Sequence, residues 1–318
     1  MADSPISGAY QYAMWRKEAT FGSDPAGTSY SFGEDVRINV EPKNNLIKVG
    51  ALNSRNYTNF VEGKYEGRVT IDGILCNTRW FAIAWGSSAT ASSAPYNHTY
   101  SEATALPSMT IEVGSDLGTT DSVRKLLGCK CDELELTMAV GEAIKFRATF
   151  FYKTESEGSS LGTPVSEGEV PFTFANATLE RPDATTLSNI QRFSYSLKNS
   201  LIETPALGSR FHTNIIGGFR MHDFSFEKTF ENSSELEAFY GAGAAPNATI
   251  AETTMDVNVT NGLAGANERH LQITFTGVKF DTHKQPALPN ELIVETISGF
   301  GRSTTAIGQD ATSTTPFD

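Results

Sequence analysis

The sequence of 318 residues lacks the marks of a membrane protein or a disulfide-rich protein. No apolar run approaches the roughly 20 residues that a helix needs to cross a bilayer, so we expect no membrane insertion. The N-terminus has neither a basic start nor an apolar core and does not match a secretory signal. The three cysteines, Cys76, Cys129 and Cys131, are too few for a disulfide framework. These absences predict a protein that folds first in a reducing cytoplasm.

Positive charge is scarce and scattered. Lys and Arg number 25 against 37 Asp and Glu, which gives a formal net charge of −12, and no basic cluster occurs. Tight binding to a phosphate backbone depends on clustered cations, so the sequence disfavours a protein that grips nucleic acid. The same charge is compatible with a surface that DNA passes without sticking.

Signatures of catalysis and of cofactor binding are missing too. The histidines (His98, His212, His222, His270 and His283) show no metal-ligand spacing, and neither a P-loop nor G-x-G-x-x-G occurs. Cys129 and Cys131 lack a second cysteine pair, which favours ordinary packing over a zinc or redox role. Residues 114–121 contain oxygen ligands suited to calcium, but their turn composition favours a plain loop. We therefore predict no enzyme, no metal and no cofactor.

An internal repeat organises the rest of the chain. At an offset of 155 residues, 43–86 aligns without a gap with 198–241. Thirteen of the 44 positions are identical, where about three would arise by chance. The identical pairs include Lys43/Lys198, Asn44/Asn199, Leu46/Leu201, Arg55/Arg210, Asn59/Asn214 and Gly63/Gly218. A second similarity, at an offset of 149, relates Gly128-Cys-Lys-Cys-Asp to Gly277-Val-Lys-Phe-Asp. Two copies of one domain explain these matches; chance similarity between β-rich segments is the alternative.

Each copy is predicted to be mainly β with one short helix. Apolar and polar residues alternate in many short segments, such as Tyr65-x-Gly67-x-Val69-x-Ile71, which indicates a β-sandwich or barrel. Asn77 and Asn232 are suited to be helix N-caps, and Gly86 and Gly241 to end the same helices. The repeat therefore preserves the boundaries of a helix even where the helix interior differs.

Composition suggests where the domains begin and end. We assign residues 1–154, including an N-terminal arm, to the first domain and 170–318 to the second. The polar, Gly- and Ser-rich stretch 155–169 is predicted to be the linker. Arg302–Asp318 is polar and is expected to form a mobile tail or an arm that only a neighbour orders.

Several segments resemble a known family, the major tail tube proteins of tailed phages and tailed archaeal viruses. They are Lys17-Glu-Ala-Thr-Phe-Gly-Ser-Asp-Pro25 with Tyr30-Ser-Phe-Gly33, the run from Leu52 to Gly63, the Asn77–Gly86 helix, and Gly128–Leu136 followed by Ile144–Lys153. The resemblance implies a small β-barrel or sandwich flanked by one helix. It also implies a virion protein, assembled in the host cytoplasm, whose rings stack into a siphovirus-like tail tube for genome delivery.

Partners and assembly follow from the same resemblance. The chain is expected to contact other copies of itself, the tail terminator, the tape-measure protein and baseplate or distal tail proteins, with viral DNA passing transiently through the lumen. Because single-domain members form hexamers, a chain with two copies is expected to form a homotrimer. Two related alternatives are an Hcp-like tube and the inner tube of a contractile tail. A carbohydrate-binding or adhesive β-sandwich is the alternative from another class, and it requires exposed aromatic side chains.

Two further expectations concern surfaces of the tube. Lys43–Asn59 and its repeat Lys198–Asn214, with the N-terminal arm and the C-terminal tail, are predicted to join successive rings. The formal charge of −12 predicts an acidic lumen, because a basic wall would bind phosphates at every ring. The candidate lumen-facing residues are Glu62, Glu66, Asp72, Asp223 and Glu227.

Overall fold

Strands dominate the computed structural model, which describes residues 8–25, 27–91, 93–118, 121–165, 170–181, 186–241, 243–286, 289–311 and 313. The first half contains β1 (Gln11–Lys17), β2 (Tyr30–Ser31), β3 (Glu34–Lys43), β4 (Ile47–Gly50), β5 (Tyr57–Val61), β6 (Glu66–Ile74), α1 (Ala82–Trp85), β7 (Gly86–Thr90), β8 (Tyr96–Glu102), β9 (Met109–Ser115), β10 (Ser122–Ala139), β11 (Lys145–Tyr152) and β12 (Thr154–Gly158). The second half contains β13 (Ala177–Glu180), β14 (Ile190–Lys198), β15 (Ile202–Thr204), β16 (Asn214–Ile216), β17 (Met221–Thr229), α2 (Ser234–Tyr240), β18 (Thr253–Thr260), β19 (His270–Lys284), β20 (Val294–Gly301) and β21 (Ser303–Asp310). The prediction of a mainly β protein with two short helices is confirmed.

The scheme of strand pairing in the first half recurs in the second. Antiparallel neighbours follow the order β3–β6–β11–β10–β9–β1 in one half and β14–β17–β20–β19–β18–β13 in the other. A bulge interrupts β10 between Cys131 and Glu133, and one interrupts β19 at the equivalent place, between Phe280 and Thr282. The spacing of identical residues in the sequence thus corresponds to equivalent positions in the fold.

The long strands β10 and β19 each contribute to two sheets. The N-terminal part of β10 pairs with β9 and β12, and its C-terminal part pairs with β11. In the same way β19 pairs with β18 and β21 before its bulge and continues on to β20. A strand that changes sheets in this way closes two layers around a core, because its inward side chains can face both. The buried core accordingly runs continuously through both halves.

Two pairings connect the halves. The end of β10 pairs with β14, which produces one central sheet in the order β3–β6–β11–β10–β14–β17–β20–β19. On the other layer, β21 from the end of the chain pairs with β8 from the first half. The halves therefore share sheets and do not form two separately closed barrels.

The first helix is the aromatic centre of the core. A 3-10 turn at Arg79–Phe81 leads into α1, and Trp80, Phe81 and Trp85 are fully buried. Burying side chains of this size contributes about 1.5–3 kcal/mol each. Trp15 is also buried, so the tryptophans do not offer the exposed rings that a carbohydrate-binding module needs. Among the described residues, no helix has the length and apolar character to cross a bilayer.

Two sequence assignments need correction. Ser303–Asp310 is strand β21 and not part of a polar tail, because its inward side chains find specific partners: Thr304 accepts a hydrogen bond from the Trp85 indole at 3.1 Å, and Asp310 lies 2.9 Å from His98. Residues 155–158, assigned to the linker, belong to β12. The remainder of the predicted tail, at 312 and 314–318, and of the linker, at 166–169, lies outside the described residues.

Candidate assembly surfaces

The two predicted C-terminal helix boundaries coincide with the ends of the helices. Gly86 and Gly241 end them in the left-handed conformation, with φ of 110° and 90°. The Asn232 side-chain oxygen accepts the Ser234 N–H at 3.0 Å in the first turn of α2. Asn77 is buried and precedes Thr78, which is the N-cap of the 3-10 turn. Both helical segments therefore begin one residue later than predicted, because their N-caps are Thr78 and Ser233, and neither N-cap makes a side-chain capping hydrogen bond.

One face of the central sheet is polar and open to solvent. Four of the five candidate lumen residues lie there: Glu66 and Asp72 on β6, and Asp223 and Glu227 on β17, alternating with residues that face the core. Glu62 does not join them, because it follows the β4–β5 hairpin and is exposed beside residues 205–210 of the second hairpin.

Cations on this face match the acids. In the sheet register Arg37 stands opposite Asp72, Lys43 opposite Glu66, and Arg192 opposite Glu227. The Lys198 ammonium lies 3.1 Å from the Glu133 carboxylate, which raises the pKa of Lys198. Lys64 forms an ion pair with Glu66, and this hydrogen bond is the main cause of the lowered pKa of Glu66. Three of the four candidate acids on this face therefore stand opposite a cation, whereas Asp223 stands opposite Ser196 and Phe300.

Two exposed hairpins extend from the same end of the central sheet. β4 pairs with β5 and β15 with β16, and every residue of β4 and β5 is exposed. Each hairpin begins with a left-handed residue at an equivalent position, Asn45 with φ of 45° and Ser200 with φ of 46°. At the tips, Leu52 and Leu207 are fully exposed. Both predicted stacking segments therefore present apolar side chains to solvent.

Next to the β10–β14 pairing, polar contacts fasten the second half to the first. The Asp132 carboxylate, beside the β10 bulge, accepts the Leu201 N–H at 2.8 Å. The Lys130 ammonium donates to the Asn214 side-chain oxygen at 3.1 Å and to the Ile215 carbonyl at 2.7 Å. Burial in this contact lowers the pKa of Lys130 and raises that of Asp132.

The hairpin of the second half also contacts the first half. The Arg210 guanidinium donates to the Gly63 carbonyl at 3.0 Å and to the Asn44 side-chain oxygen at 2.8 Å, and the Arg210 carbonyl accepts the Tyr65 N–H at 2.8 Å. Arg210, Gly63 and Asn44 each belong to an identical pair of the repeat, but the sequence alone does not show what these residues contact. Their role becomes visible only when the two halves are placed side by side.

The described residues hold no group of three or more His, Cys, Asp or Glu side chains arranged for a metal ion. Cys129 and Cys131 are fully buried, and burial raises the pKa of both thiols well above the usual range. In the segment 114–121 the Asp116 carboxylate accepts the Gly118 N–H at 2.8 Å, as in an ordinary turn; residues 119–120 lie outside the described part.

A family model described as phage tail tube protein matches residues 8–318, nearly the whole chain. A search of curated proteins finds no match. The family match agrees with the antiparallel β-sandwich layers and with the resemblance seen in the sequence. The chain therefore belongs to the phage tail tube protein family, and it is a structural component of a viral tail.

Proposed function

We propose that three copies of this chain close into a ring, that rings stack into a tube, and that the central sheet lines the channel through which viral DNA passes. The observation that carries this proposal is the shape of the central sheet. It runs through both halves, one face is covered by the core and the other is polar, and its two edges, β3 and the end of β19, have no partner strand within the described chain. Unpaired edges favour strand addition by another chain, and a ring removes them.

The number three is supported by the recurrence of one pairing scheme. If each half turns the sheet by about 60°, two halves turn it by about 120°, and three chains complete the circle. The two equivalent building units of this proposal are residues 1–154 and 170–318, joined near 155–169.

The channel wall in this proposal is charge-paired. Lys and Arg side chains stand opposite most of the carboxylates across neighbouring strands, so the wall carries charges of both signs. This differs from the acidic wall expected from the formal charge of −12, which is a property of the whole surface. Paired charges still disfavour DNA adhesion, because a cation that is neutralised by a neighbouring carboxylate gains less from a phosphate.

Contacts between rings are assigned to the two hairpins. Leu52 and Leu207 stand at their tips with their whole side chains in water, where burial against the next ring would be favourable. At the two ends of the tube, we propose that other tail proteins (terminator, tape-measure and distal tail proteins) meet the same surfaces, and that assembly takes place in the host cytoplasm. No catalytic role is included in this proposal.

Electron microscopy of the purified chain tests the proposal. Rings or hollow rods with a central channel, and threefold symmetry in averaged end views, are the expected result. A chain that stays monomeric at all concentrations, or that forms solid fibres without a channel, contradicts it.

A further inference from the structure

The residues that fasten the two halves together occur a second time in the sequence, on the outer ends of the central sheet. Asp132 and Leu201, which meet at the internal junction, have the equivalents Asp281 and Leu46. Asp281 lies at the β19 bulge, as Asp132 lies at the β10 bulge. Residue types are identical within each pair, although Asp281 and Leu46 do not contact each other in one chain, and both are exposed.

The lysine contact is duplicated in the same way. Lys130 and Asn214 of the internal junction correspond to Lys279 and Asn59. Lys130 is 8% exposed in its contact, whereas Lys279 is exposed and its ammonium forms no ion pair or hydrogen bond with the described residues. A lysine without a local partner at a position where its equivalent is buried indicates a contact that a single chain leaves incomplete.

The arginine contact completes the set. Arg210 and the Gly63 carbonyl correspond to Arg55 and the Gly218 carbonyl. Arg55 and Gly218 are both exposed, and the Arg55 side chain has no hydrogen bond within the described part of the chain. The equivalents thus divide into two groups: Lys279, Asp281 and Gly218 lie toward the β19 end of the sheet, and Leu46, Arg55 and Asn59 toward the β3 end.

The equivalent strands β14 and β3 differ in how far their inward side chains are buried. On β14 the inward side chains Phe193 and Tyr195 are buried, because β10 covers their open side. Their equivalents on β3, Ile38 and Val40, are only half-buried, although they pack on the core from the other side. The β3 edge therefore lacks the cover that β14 receives.

We propose that the β3 edge and the 44–59 segment of one copy of this chain dock on the β19 edge and the Gly218 turn of a second copy, in the register of the internal β10–β14 junction. The inference rests on the proposed ring and specifies its interface. In this register Lys43 stands opposite Thr282 and Glu41 opposite Lys284, as Lys198 stands opposite Glu133 and Ser196 opposite Glu135 within the chain.

Three contacts follow from the equivalence. The Asp281 carboxylate accepts the Leu46 N–H of the second copy, the Lys279 ammonium donates to the Asn59 side-chain oxygen, and the Arg55 guanidinium donates to the Gly218 carbonyl. Hydrogen bonds to charged groups such as these are among the stronger ones in proteins. They also give direction: the β3 group and the β19 group are different surfaces, so the contact is head-to-tail, and such a contact closes a ring when the rotation per chain divides a full turn.

The contact between chains is weaker than its internal counterpart. Pro42 stands at the position equivalent to Leu197 and has no N–H to donate to the neighbouring strand. Thr282 stands at the position equivalent to Glu133, so the ion pair between Glu133 and Lys198 is not repeated between chains. Glu41 and Lys284 supply one ion pair instead. The internal β8–β21 pairing has no equivalent either, because the described residues of 241–252 form no strand. We therefore expect the chain to fold first and the ring to close in a separate step, through a contact that is less stable than the internal junction.

Cysteine crosslinking tests the register. The internal ladder is bounded by the bonds Asn199 N–H to Asp132 C=O and Val140 N–H to Gln191 C=O, so Glu133 and Lys198 form a non-hydrogen-bonded pair. By equivalence, Lys43→Cys and Thr282→Cys place two Cα atoms about 4.5 Å apart, close enough for a disulfide. The control mixture, Asn39→Cys with Thr282→Cys, separates them by about 13 Å, beyond the reach of a disulfide.

The two single variants are mixed, assembled and oxidised gently, and the products are separated without reductant. A covalent dimer from the Lys43→Cys and Thr282→Cys mixture, absent from either variant alone, from the control mixture and from the unchanged chain with its buried cysteines, is expected. Tubes that form a crosslink only in the control mixture contradict the proposed register but agree with the proposed tube. An absence of rings and tubes overturns the register together with the proposed function.

Asp281→Ala tests the contacts without new cysteines. We expect the unassembled chain to keep its unfolding midpoint, while the concentration at which rings form rises about tenfold or more, because the buried Leu46 N–H loses its charged acceptor. Glu157→Ala, an exposed acid on β12, is the matched control and should leave both quantities unchanged. An Asp281→Ala chain that assembles at the original concentration contradicts the proposal.

Discussion

At the residue scale, the two halves are held together by a buried polar cluster that spans the chain. The Glu102 carboxylate lies 2.9 Å from His222 Nε2 and 3.3 Å from Arg220, and it accepts the Thr304 N–H at 2.7 Å. Burial raises the pKa of Glu102, but the hydrogen bonds from His222 and Thr304 outweigh it, so the pKa is lowered from its ordinary value of 4.5. One carboxylate thus joins strands β8, β17 and β21.

This shift predicts an acid-dependent stability. A carboxyl group with a depressed folded-state pKa contributes stability above its unfolded value of 4.5, and this contribution is lost as the pH falls through the folded-state pKa. We expect Glu102→Gln to lower the free energy of unfolding at pH 7 by about 1–2 kcal/mol. The variant should also lose less stability than the unchanged chain between pH 5 and pH 3. Urea titrations at several pH values measure both effects; equal acid sensitivity of the two proteins would count against this role for Glu102.

The equivalent arginines predict opposite outcomes for the folding of one chain. Arg210→Ala removes hydrogen bonds to Gly63 and Asn44 at the internal junction, and it should cost about 1–3 kcal/mol. Arg55→Ala removes an exposed side chain and should change the free energy of unfolding by less than about 0.5 kcal/mol. Chemical denaturation at concentrations below assembly compares the two, and similar losses for both would contradict the distinction.

Some residue assignments were predictable from the sequence and others were not. The glycines that end the helices could be assigned because a left-handed residue after an apolar run is a local requirement. The predicted N-caps Asn77 and Asn232 are each one residue too early, because the helical segments are preceded by Thr78 and Ser233 and no side chain of these N-caps fixes the start. The lumen candidates were chosen from acidic residues alone, and the cations opposite them come from other strands, which no local pattern reveals.

At the scale of elements, strand β21 is the clearest case in which composition misleads. Its sequence Ser-Thr-Thr-Ala-Ile-Gly-Gln-Asp is polar, yet it pairs along its length with β19 and also with β8. Its polar inward side chains are tolerated because partners distant in sequence satisfy them, such as His98 for Asp310. Only the tertiary structure contains that information.

Truncation distinguishes the strand from the residues after it. Removing 302–318 deletes β21 and uncovers the Trp85 indole and His98, so we expect loss of cooperative folding. Removing 314–318 alone should leave the thermal unfolding transition in place. Circular dichroism on both proteins measures the difference. A folded chain after the longer truncation would refute this prediction.

The hairpin tips predict an effect on tube length without an effect on folding. Leu52→Ser and Leu207→Ser change side chains that touch only water in the single chain, so the unfolding free energy should move by less than about 0.5 kcal/mol. Tubes should become shorter because each ring contact loses apolar burial of about 1.5–3 kcal/mol per leucine. Leu263→Ser, another exposed leucine outside the hairpins, is the control. Electron microscopy measures the tube lengths, and unchanged lengths would show that the hairpins do not contribute to the contacts between rings.

At the scale of the whole molecule, the repeat was visible in the sequence and the continuous sheet was not. Identical spacing of Asn, Gly and Lys residues indicates duplication because equivalent turns and contacts need the same side chains. The pairing of β10 with β14 joins segments about 60 residues apart, and nothing local specifies that one sheet passes through both halves. The duplication was therefore predictable from the sequence, whereas the strand pairing between the two halves was not.

The ring itself provides the last prediction. Native mass spectrometry of assembled rings should give three times the chain mass of 34.4 kDa, and averaged end views should show six similar lobes with true threefold symmetry. The lobes alternate because, among the described residues, only the first half has a β7–β8 hairpin, whose strand β8 pairs with β21. A ring of six full-length chains would require each chain to turn the sheet by about 60°, half of what two equivalent units provide. Such a mass would show that the two halves do not occupy equivalent places.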